Sequence, residues 1–165
     1  MLPYRKRLRL PGYDYASTGC YFVTIAADSR QPWFGTIHDD QMHPNDAGTM
    51  ILETWFDLEN RFPTIHMDDM VIMPDHLHGI IVLGFEPTAQ KTPKLGAVIG
   101  AFKSISTLAY GRGVAHHDWP PYNKQLWQTG YNDHIIRTDA SLKRHRKYIE
   151  ANPARWAAKR QSSLP

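Results

Sequence analysis

Two histidines lie two residues apart in an apolar segment of the chain, residues 73–83, with the sequence MPDHLHGIIVL. Side chains alternate between the two faces of a β-strand, so His76 and His78 should share one face of a strand. Neutral imidazoles bind divalent ions through a ring nitrogen, which makes the pair a candidate two-point metal site. The alternative is two histidines at the sheet edge that hydrogen-bond to backbone groups or water.

A catalytic metal site needs a further ligand and an open position for substrate. The side chains that could supply this ligand are Asp75, His66, His116, His117, His134 and Asn152. The residues alone leave the choice among them open.

A second group of polar side chains lies in the segment HRKYIEANPARW, near the end of the chain. Tyr148 and Asn152 are four residues apart, so they share one face if this segment is helical. A tyrosine hydroxyl there is a candidate nucleophile. The alternative is a tyrosine that packs against the core and leaves its hydroxyl in water.

The segments that carry these residues predict a sheet. Residues 20–27 are rich in β-branched and aromatic side chains, which favours a strand. Residues 67–73, 76–83 and 130–137 are also predicted to be strands, and the last is expected to be a core strand. Pro74 fits the first corner of a tight turn better than the middle of a strand, so 67–83 should form a hairpin. Residues 31–37 are expected to pair with a short segment around Gln41.

Three helices are expected between and after these strands. The first, within 43–62, should begin near Pro44 or Asn45, and the third, 138–152, should begin at Thr138 or Asp139 and end before Pro153. The second should span 95–111, between loops at 85–94 and 111–124. The apolar stripes of the first two helices are Met50, Ile51, Trp55 and Leu58, and Val98, Phe102, Ile105 and Leu108. Helices, strands and a hairpin in this order predict an α+β class: an antiparallel sheet with helices packed on it.

The composition is that of a folded protein. The 165 residues suggest one domain, and the hydrophobic content of 42% with 21% charged residues excludes general disorder. No apolar run is long enough to span a membrane, and the N-terminus lacks the apolar stretch of a signal peptide. The lone Cys20 excludes an internal disulfide and a multi-cysteine zinc site. We therefore expect a cytoplasmic protein.

The net charge is +3, but the basic residues are clustered. Such clusters can neutralise phosphates, although many are merely solvated surface. The clusters are YRKRLR at residues 4–9, KRHRK at 143–147 and RWAAKR at 155–160. The candidate DNA-binding residues are Arg5, Lys6, Arg7, Arg9, Lys143, Arg144, Arg146 and Lys147.

Taken together, the two motifs resemble those of the single-tyrosine HUH transposases, and most closely the REP-associated tyrosine transposases. His76, Leu77 and His78 match the histidine–hydrophobic–histidine motif of that family. Tyr148, Ile149, Asn152 and Pro153 fit its Tyr-Ile-x-x-Asn-Pro context. The resemblance spans residues 12–156, and the basic residues before about position 12 resemble the lead-in of the family.

The resemblance implies a single domain over 1–165 with the ferredoxin-like HUH nuclease fold. It implies that Tyr148 is the nucleophile and that His76, His78 and Asn152 hold Mg²⁺ or Mn²⁺. The implied substrate is single-stranded DNA beside a hairpin-forming palindrome, and the implied product is a covalent 5′-phosphotyrosine. The chain stops soon after the tyrosine helix, where some relatives continue with a tail, so regulation by such a tail is not expected. The family includes monomers and homodimers.

Two other functions are compatible with the same residues. A domesticated relative could bind hairpin DNA without cutting it, although the intact His76, His78, Tyr148 and Asn152 argue against this. A metal-dependent hydrolase could use a metal-bound water and would then tolerate the loss of Tyr148. A covalent protein–DNA adduct distinguishes the transposase chemistry from both.

Overall fold

The computed structural model describes residues 19–85 and 91–163, which form a four-stranded antiparallel sheet with helices on both faces. The strand order is β4-β5-β1-β6, and β2 and β3 form a separate hairpin. The elements are β1 (Gly19–Ala26), β2 (Gly35–His38), β3 (Gln41–Pro44), α1 (Asp46–Arg61), β4 (Ile65–Met73), β5 (His76–Leu83), α2 (Leu95–His116), β6 (Asn132–Ile135) and α3 (Asp139–Ser162). The predicted α+β class is confirmed. Among the described residues, no helix is both long and apolar enough to cross a membrane.

Strand β5 is buried along its whole length because both of its faces are covered. Leu77, Ile81 and Leu83 belong to the hydrophobic core beneath α1 and α2. Ile80 and Val82 point the other way, into a second cluster that includes residues of α3. Since side chains alternate along a strand, the histidines at positions 76 and 78 share the face covered by α3.

Gly79 separates the histidine motif from the apolar end of β5 for a steric reason. A Cβ atom at this position would lie 2.3 Å from Cζ2 of Trp55, which packs directly against the strand from α1. The absent side chain therefore lets a large aromatic ring fill the core on the face opposite the histidines.

Several local predictions are confirmed. The turn at Pro74 and Asp75 joins β4 to β5, with Met73 opposite His76. Asn45 caps α1 by accepting a hydrogen bond from the Gly48 amide at 2.9 Å, and Thr138 caps α3 through Ser141 at 3.0 Å. The segment around Gln41 pairs with 35–38, as expected.

Helix α2 differs from its prediction in length and in its buried face. It continues past Gly111 to His116, and Gly113 provides room for Trp119, whose Cε3 atom would lie 2.0 Å from an added Cβ. Leu108 was assigned to the apolar stripe but is 65% exposed. The buried stripe follows steps of four from Val98, so that it reaches position 110 and leaves 108 on the solvent side.

The expected core strand at 130–137 is instead a short edge strand. Strand β6 pairs with β1 alone, and all four of its residues are exposed. The buried apolar residue here is Ile136, which follows the strand and packs beneath α3. The change from the exposed Ile135 to the buried Ile136 therefore marks the end of the strand. It does not indicate a strand that is covered on both faces.

The sequence predicted that helix α3 ends before Pro153, but the helix continues to Ser162. A proline inside a helix removes one N–H donor and crowds the preceding turn, so helices usually avoid it. Here the continuation makes contacts of its own, because Trp156 stacks near His76 with ring centroids 5.8 Å apart. Trp156, one turn after Asn152, thus lies on the face of the sheet that carries the histidines.

A buried ion pair fastens α3 to the sheet. The guanidinium of Arg146 donates from Nε and Nη2 to the two carboxylate oxygens of Asp68, at 2.8 Å and 2.6 Å. The Asp68 side chain is 1% exposed and lies at an irregularity of β4. Cys20 lies beside the pair beneath α3, and burial, followed by the charge of Asp68, raises the pKa of its thiol to about 12.

We expect Asp68→Ala to destabilise the protein strongly, because it leaves the Arg146 guanidinium partly buried without its carboxylate. The loss of unfolding free energy in urea should be roughly 3 kcal/mol, at the lower end of the range for broken buried pairs. Native-state labelling of Cys20 by a thiol reagent should also become faster. The exposed Glu53→Gln serves as a control for removal of one negative charge, and equal stability of both variants would contradict a structural role for the pair.

Candidate metal and nucleophile site

The two histidine rings lie side by side on the face of β5 that α3 covers. Their Nε2 atoms are 3.2 Å apart, and the ring centroids are 4.7 Å apart. Both residues are buried, with relative exposures of 6% for His76 and 7% for His78. The prediction that His76 and His78 share one strand face is confirmed.

Each ring has a separate hydrogen-bond partner at its other nitrogen. Nδ1 of His76 lies 2.6 Å from Oδ1 of Asp75, and Nδ1 of His78 lies 2.8 Å from the Thr24 hydroxyl. Thr24 stands opposite His78 in the register of β1 and β5. These bonds offset the cost of burying the rings and orient both Nε2 atoms towards one point.

The electrostatics favour neutral imidazole and ionised carboxylate. Burial is the largest cause that lowers the pKa of His78, to about 3, and the positive charges of His76 and Arg30 lower it further. Burial opposes ionisation of Asp75, but the hydrogen bond and charge of His76 and the charge of Arg30 together hold the pKa of this carboxyl below its ordinary value. A neutral imidazole is the form that binds a metal ion.

Two nitrogen lone pairs 3.2 Å apart repel each other unless a proton or a cation lies between them. One imidazole can donate an Nε2–H to the other, or both can bind a metal ion. The arrangement therefore fits a divalent ion, with His76 and His78 as two nitrogen ligands whose outer nitrogens are already fixed by hydrogen bonds.

Helix α3 places the predicted nucleophile beside this pair. The Tyr148 ring lies 5.4 Å from the His78 ring and 5.8 Å from Phe22, in edge-on geometry. Tyr148 is 38% exposed, so one side of its ring contacts buried groups and the other faces solvent. The tyrosine ring thus contacts one of the two imidazoles, that of His78.

Asn152 lies midway along α3 between the two aromatic contacts with the histidines. Tyr148 contacts His78 one turn before it, and Trp156 contacts His76 one turn after it. The Asn152 side chain is buried, and its Nδ2 lies 3.4 Å from the Tyr148 carbonyl oxygen. An amide oxygen at this position fits the third ligand that the resemblance implies.

The other candidate ligands have partners elsewhere. His66 lies 3.0 Å from Glu59, and the ring of His134 lies 5.3 Å from that of His145. The ring of His117 packs near Trp119. Within residues 19–85 and 91–163, no three His, Cys, Asp or Glu side chains form a metal-binding cluster. Asp75 supports His76 from its outer nitrogen.

The candidate DNA-binding residues divide into three groups. Lys143, Arg144 and Lys147 are exposed on α3. Arg146 is instead engaged in the buried pair with Asp68, so its role is structural. The remaining four lie outside the described residues, with the rest of the basic lead-in: Arg5, Lys6, Arg7 and Arg9.

Residues 155 and 156 were part of a basic cluster without an assigned role in the sequence. The guanidinium carbon of Arg155 lies 5.4 Å from the Tyr148 ring centroid, so the continuation of α3 brings a cation to the predicted nucleophile. The sequence did not predict this contact, because the helix was expected to end before Pro153. Thr24 and Arg30 were also missed, because their roles depend on strand register and on a turn.

Aromatic side chains can stack on the bases of single-stranded DNA, and five candidates for this role lie elsewhere in the fold. Trp127 is buried and packs against Phe34 and Phe102. The others pack against the core on the α1 and α2 side: Trp33, Trp119, Tyr122 and Tyr131. None of the five therefore packs into the apolar cluster on the histidine face among the described residues.

Comparisons of the sequence with known proteins identify one relative over nearly the whole chain. No family model matches the chain. An uncharacterized protein of Haemophilus influenzae is 33% identical over 172 residues, which cover 93% of this chain and 90% of the relative.

Two solved structures share the architecture. A REP-associated tyrosine transposase bound to a REP hairpin aligns with a TM-score of 0.57 at 20% identity, over 94% of this chain and 74% of its own. A candidate transposase of Deinococcus radiodurans aligns with a TM-score of 0.53 at 18% identity, over 88% and 96%. The chain thus belongs to the same family as the Haemophilus influenzae protein and has the fold of the REP-associated tyrosine transposases.

Proposed function

We propose that the protein is a metal-dependent single-stranded DNA endonuclease and strand transferase that acts beside hairpin-forming palindromes through a covalent phosphotyrosine. One observation supports this most directly: the Tyr148 ring lies against a buried pair of histidines whose Nε2 atoms are 3.2 Å apart. The resemblance and the fold of the transposases support the same reading. The solved relative bound to a REP hairpin suggests the class of DNA.

In the proposed reaction the Tyr148 oxygen attacks the scissile phosphorus. The bond to the 3′ oxygen breaks as the bond to tyrosine forms, so the products are a 5′-phosphotyrosine and a 3′-hydroxyl, which takes up the proton equivalent that the phenol releases. The phosphodiester is exchanged and not hydrolysed, so a DNA 3′-hydroxyl can reverse the step without a nucleotide cofactor. Mg²⁺ or Mn²⁺ bound by His76, His78 and Asn152 would supply positive charge beside the scissile phosphate.

The chain's own residues prepare this step in two ways. Arg155 stands over the Tyr148 ring and can offset negative charge that develops on the phenol oxygen or phosphate. The partial exposure of the tyrosine leaves a route for DNA, whereas the histidines are covered from the solvent. Tyr131 is a weaker candidate nucleophile because it packs on the α1 and α2 side, and burial, with smaller contributions from Asp133 and Tyr21, raises its pKa.

Tyr148→Phe should abolish the covalent adduct while leaving folding and DNA binding intact. The change removes one oxygen from a side chain whose ring contacts are kept, so little stability is lost. The assay incubates the protein with Mn²⁺ and a labelled hairpin carrying a single-stranded flank, and then resolves adducts on a denaturing gel. Tyr131→Phe is the matched control and should behave as the wild type.

The same assay separates the rival functions. Loss of the nick together with the adduct in Tyr148→Phe supports tyrosine attack. A nick that persists without an adduct would instead indicate a metal-dependent hydrolase. Hairpin binding by the wild type with neither product would indicate a domesticated DNA-binding protein.

His76→Ala and His78→Ala should each abolish cleavage and weaken Mn²⁺ binding, because each removes one of two converging nitrogen ligands. Hairpin affinity should change little, since the phosphate-binding residues lie elsewhere. Calorimetry measures metal and hairpin binding separately. His66→Ala is a control in the same sheet, and full cleavage by His76→Ala in metal-free buffer would remove the metal from the proposal.

Single-stranded DNA affinity should fall steeply with salt if the exposed cations of α3 and the basic lead-in contact phosphates. Four or five contacts predict a slope of about −3 in log K against log salt, at roughly −0.7 per contact. Lys143→Gln, Arg144→Gln and Lys147→Gln should each reduce the slope by one contact. The exposed Arg61→Gln, at the end of α1, should leave it unchanged, and equal slopes in all four variants would assign the cluster to solvated surface.

A further inference from the structure

A strained turn precedes the β2–β3 hairpin. Ser29 and Arg30 have φ angles of 55° and 52°, so two consecutive residues with side chains adopt the left-handed conformation. Residues with a Cβ atom disfavour this conformation, which persists where the surroundings over-determine it. The turn is held from outside by the Asp28 amide, which donates to the Leu126 carbonyl at 2.8 Å.

The strained backbone aims the Arg30 side chain at the carboxylate behind the histidines. Arg30 Nε donates to Oδ2 of Asp75 at 3.0 Å, while Oδ1 of the same carboxylate accepts from His76 Nδ1 at 2.6 Å. The Arg30 side chain is 50% exposed, whereas that of Asp75 is 10% exposed. One carboxylate therefore joins a solvent-facing arginine to a buried imidazole.

The two imidazoles differ in what holds them. His78 is oriented by the Thr24 hydroxyl, which β-sheet register fixes in place. His76 depends on Asp75, which lies in the two-residue turn before β5, where no strand register fixes its side chain. A second contact on the carboxylate is what fixes its rotamer, and Arg30 provides this contact.

We propose that Arg30 is a positioning residue of the metal site, acting through Asp75 to set the ring orientation and tautomer of His76. The inference rests on the metal binding in the proposed function. With Nδ1–H donated to Asp75, the Nε2 lone pair of His76 points at the place where it meets His78. Loss of Arg30 frees the carboxylate to turn away and leaves the imidazole without a fixed direction.

The competing explanation is an ordinary surface ion pair. Half-exposed pairs contribute little to stability, because water screens the two charges. If the turn served only to form such a pair, its backbone strain would destabilise the protein by more than the pair stabilises it. The two explanations differ in whether the effect of Arg30 on metal affinity requires Asp75.

The test measures Mn²⁺ affinity of the full chain by calorimetry, without DNA. Arg30→Gln should weaken binding about 10-fold and Asp75→Ala by about 10- to 100-fold, as is typical of groups that orient a metal ligand. Adding Arg30→Gln to Asp75→Ala should cause no further loss, because the residue through which it acts is gone. Arg30→Lys, which keeps a cationic donor, should recover part of the affinity.

Ser29→Gly is the matched control in the same turn. It relieves left-handed strain without touching the ion pair and should leave Mn²⁺ affinity at the wild-type value. Far-UV circular dichroism and thermal unfolding confirm that each variant is folded at the temperature of the measurement.

The remaining outcomes separate this inference from the proposed function. A wild type that binds no Mn²⁺ overturns the proposed metal site and the inference with it. If the wild type and Arg30→Gln bind Mn²⁺ with equal affinity, the inference is wrong and the proposed metal site is unaffected. An equal loss from Arg30→Gln with and without Asp75 also overturns the inference alone, because Arg30 would then act independently of the carboxylate.

Discussion

The docking of α3 on the outer face of the sheet is the constraint on which the site depends. Leu142 and Ile149 supply the apolar contact, and the two-pronged pair of Arg146 with Asp68 fixes the helix against sliding and rotation. Hydrophobic contact alone is non-directional, whereas a planar guanidinium on a carboxylate has a defined geometry. A small rotation of α3 would carry Tyr148 away from the imidazole that it contacts.

The buried histidines are stabilised by a consistent set of hydrogen bonds. Each outer nitrogen has an oxygen partner, from Asp75 or from Thr24, and the inner nitrogens face each other. The low pKa of His78 follows from its burial and from nearby positive charge, so this imidazole stays neutral without a metal. Burial and its hydrogen bond to Thr24 thus leave the His78 ring in the form that binds a divalent ion.

The parts of the fold governed by local rules were predictable. Period-two alternation placed His76 and His78 on one face, and turn chemistry placed Pro74 in the hairpin. The spacing of Tyr148 and Asn152 predicted that they share one helix face. That this face packs over His76 and His78 was expected from the resemblance. Arg146 could not be distinguished from its exposed neighbours in sequence, because its burial depends on Asp68, 78 residues away.

The failures have a common physical origin, since tertiary contacts overrode local signals. Pro153 is a helix-ending residue by propensity, yet α3 continues because Trp156 packs near His76. Leu108 is apolar but solvent-facing, since the buried stripe of α2 follows steps of four. Arg30 reaches Asp75 through a backbone conformation that no rule for Ser or Arg would favour.

The continuation of α3 past the proline changes what the helix can do. Its first half is anchored by buried residues, and Pro153 removes the donor that would otherwise bond to the Ile149 carbonyl one turn earlier. The missing bond lies beside Tyr148 and Asn152, so the helix lacks one backbone hydrogen bond at the turn that carries these two residues. Arg155 contacts Tyr148 and Trp156 contacts His76 from the other side of the proline. The continuation of α3 therefore adds contacts to the candidate site that a helix ending before Pro153 would lack.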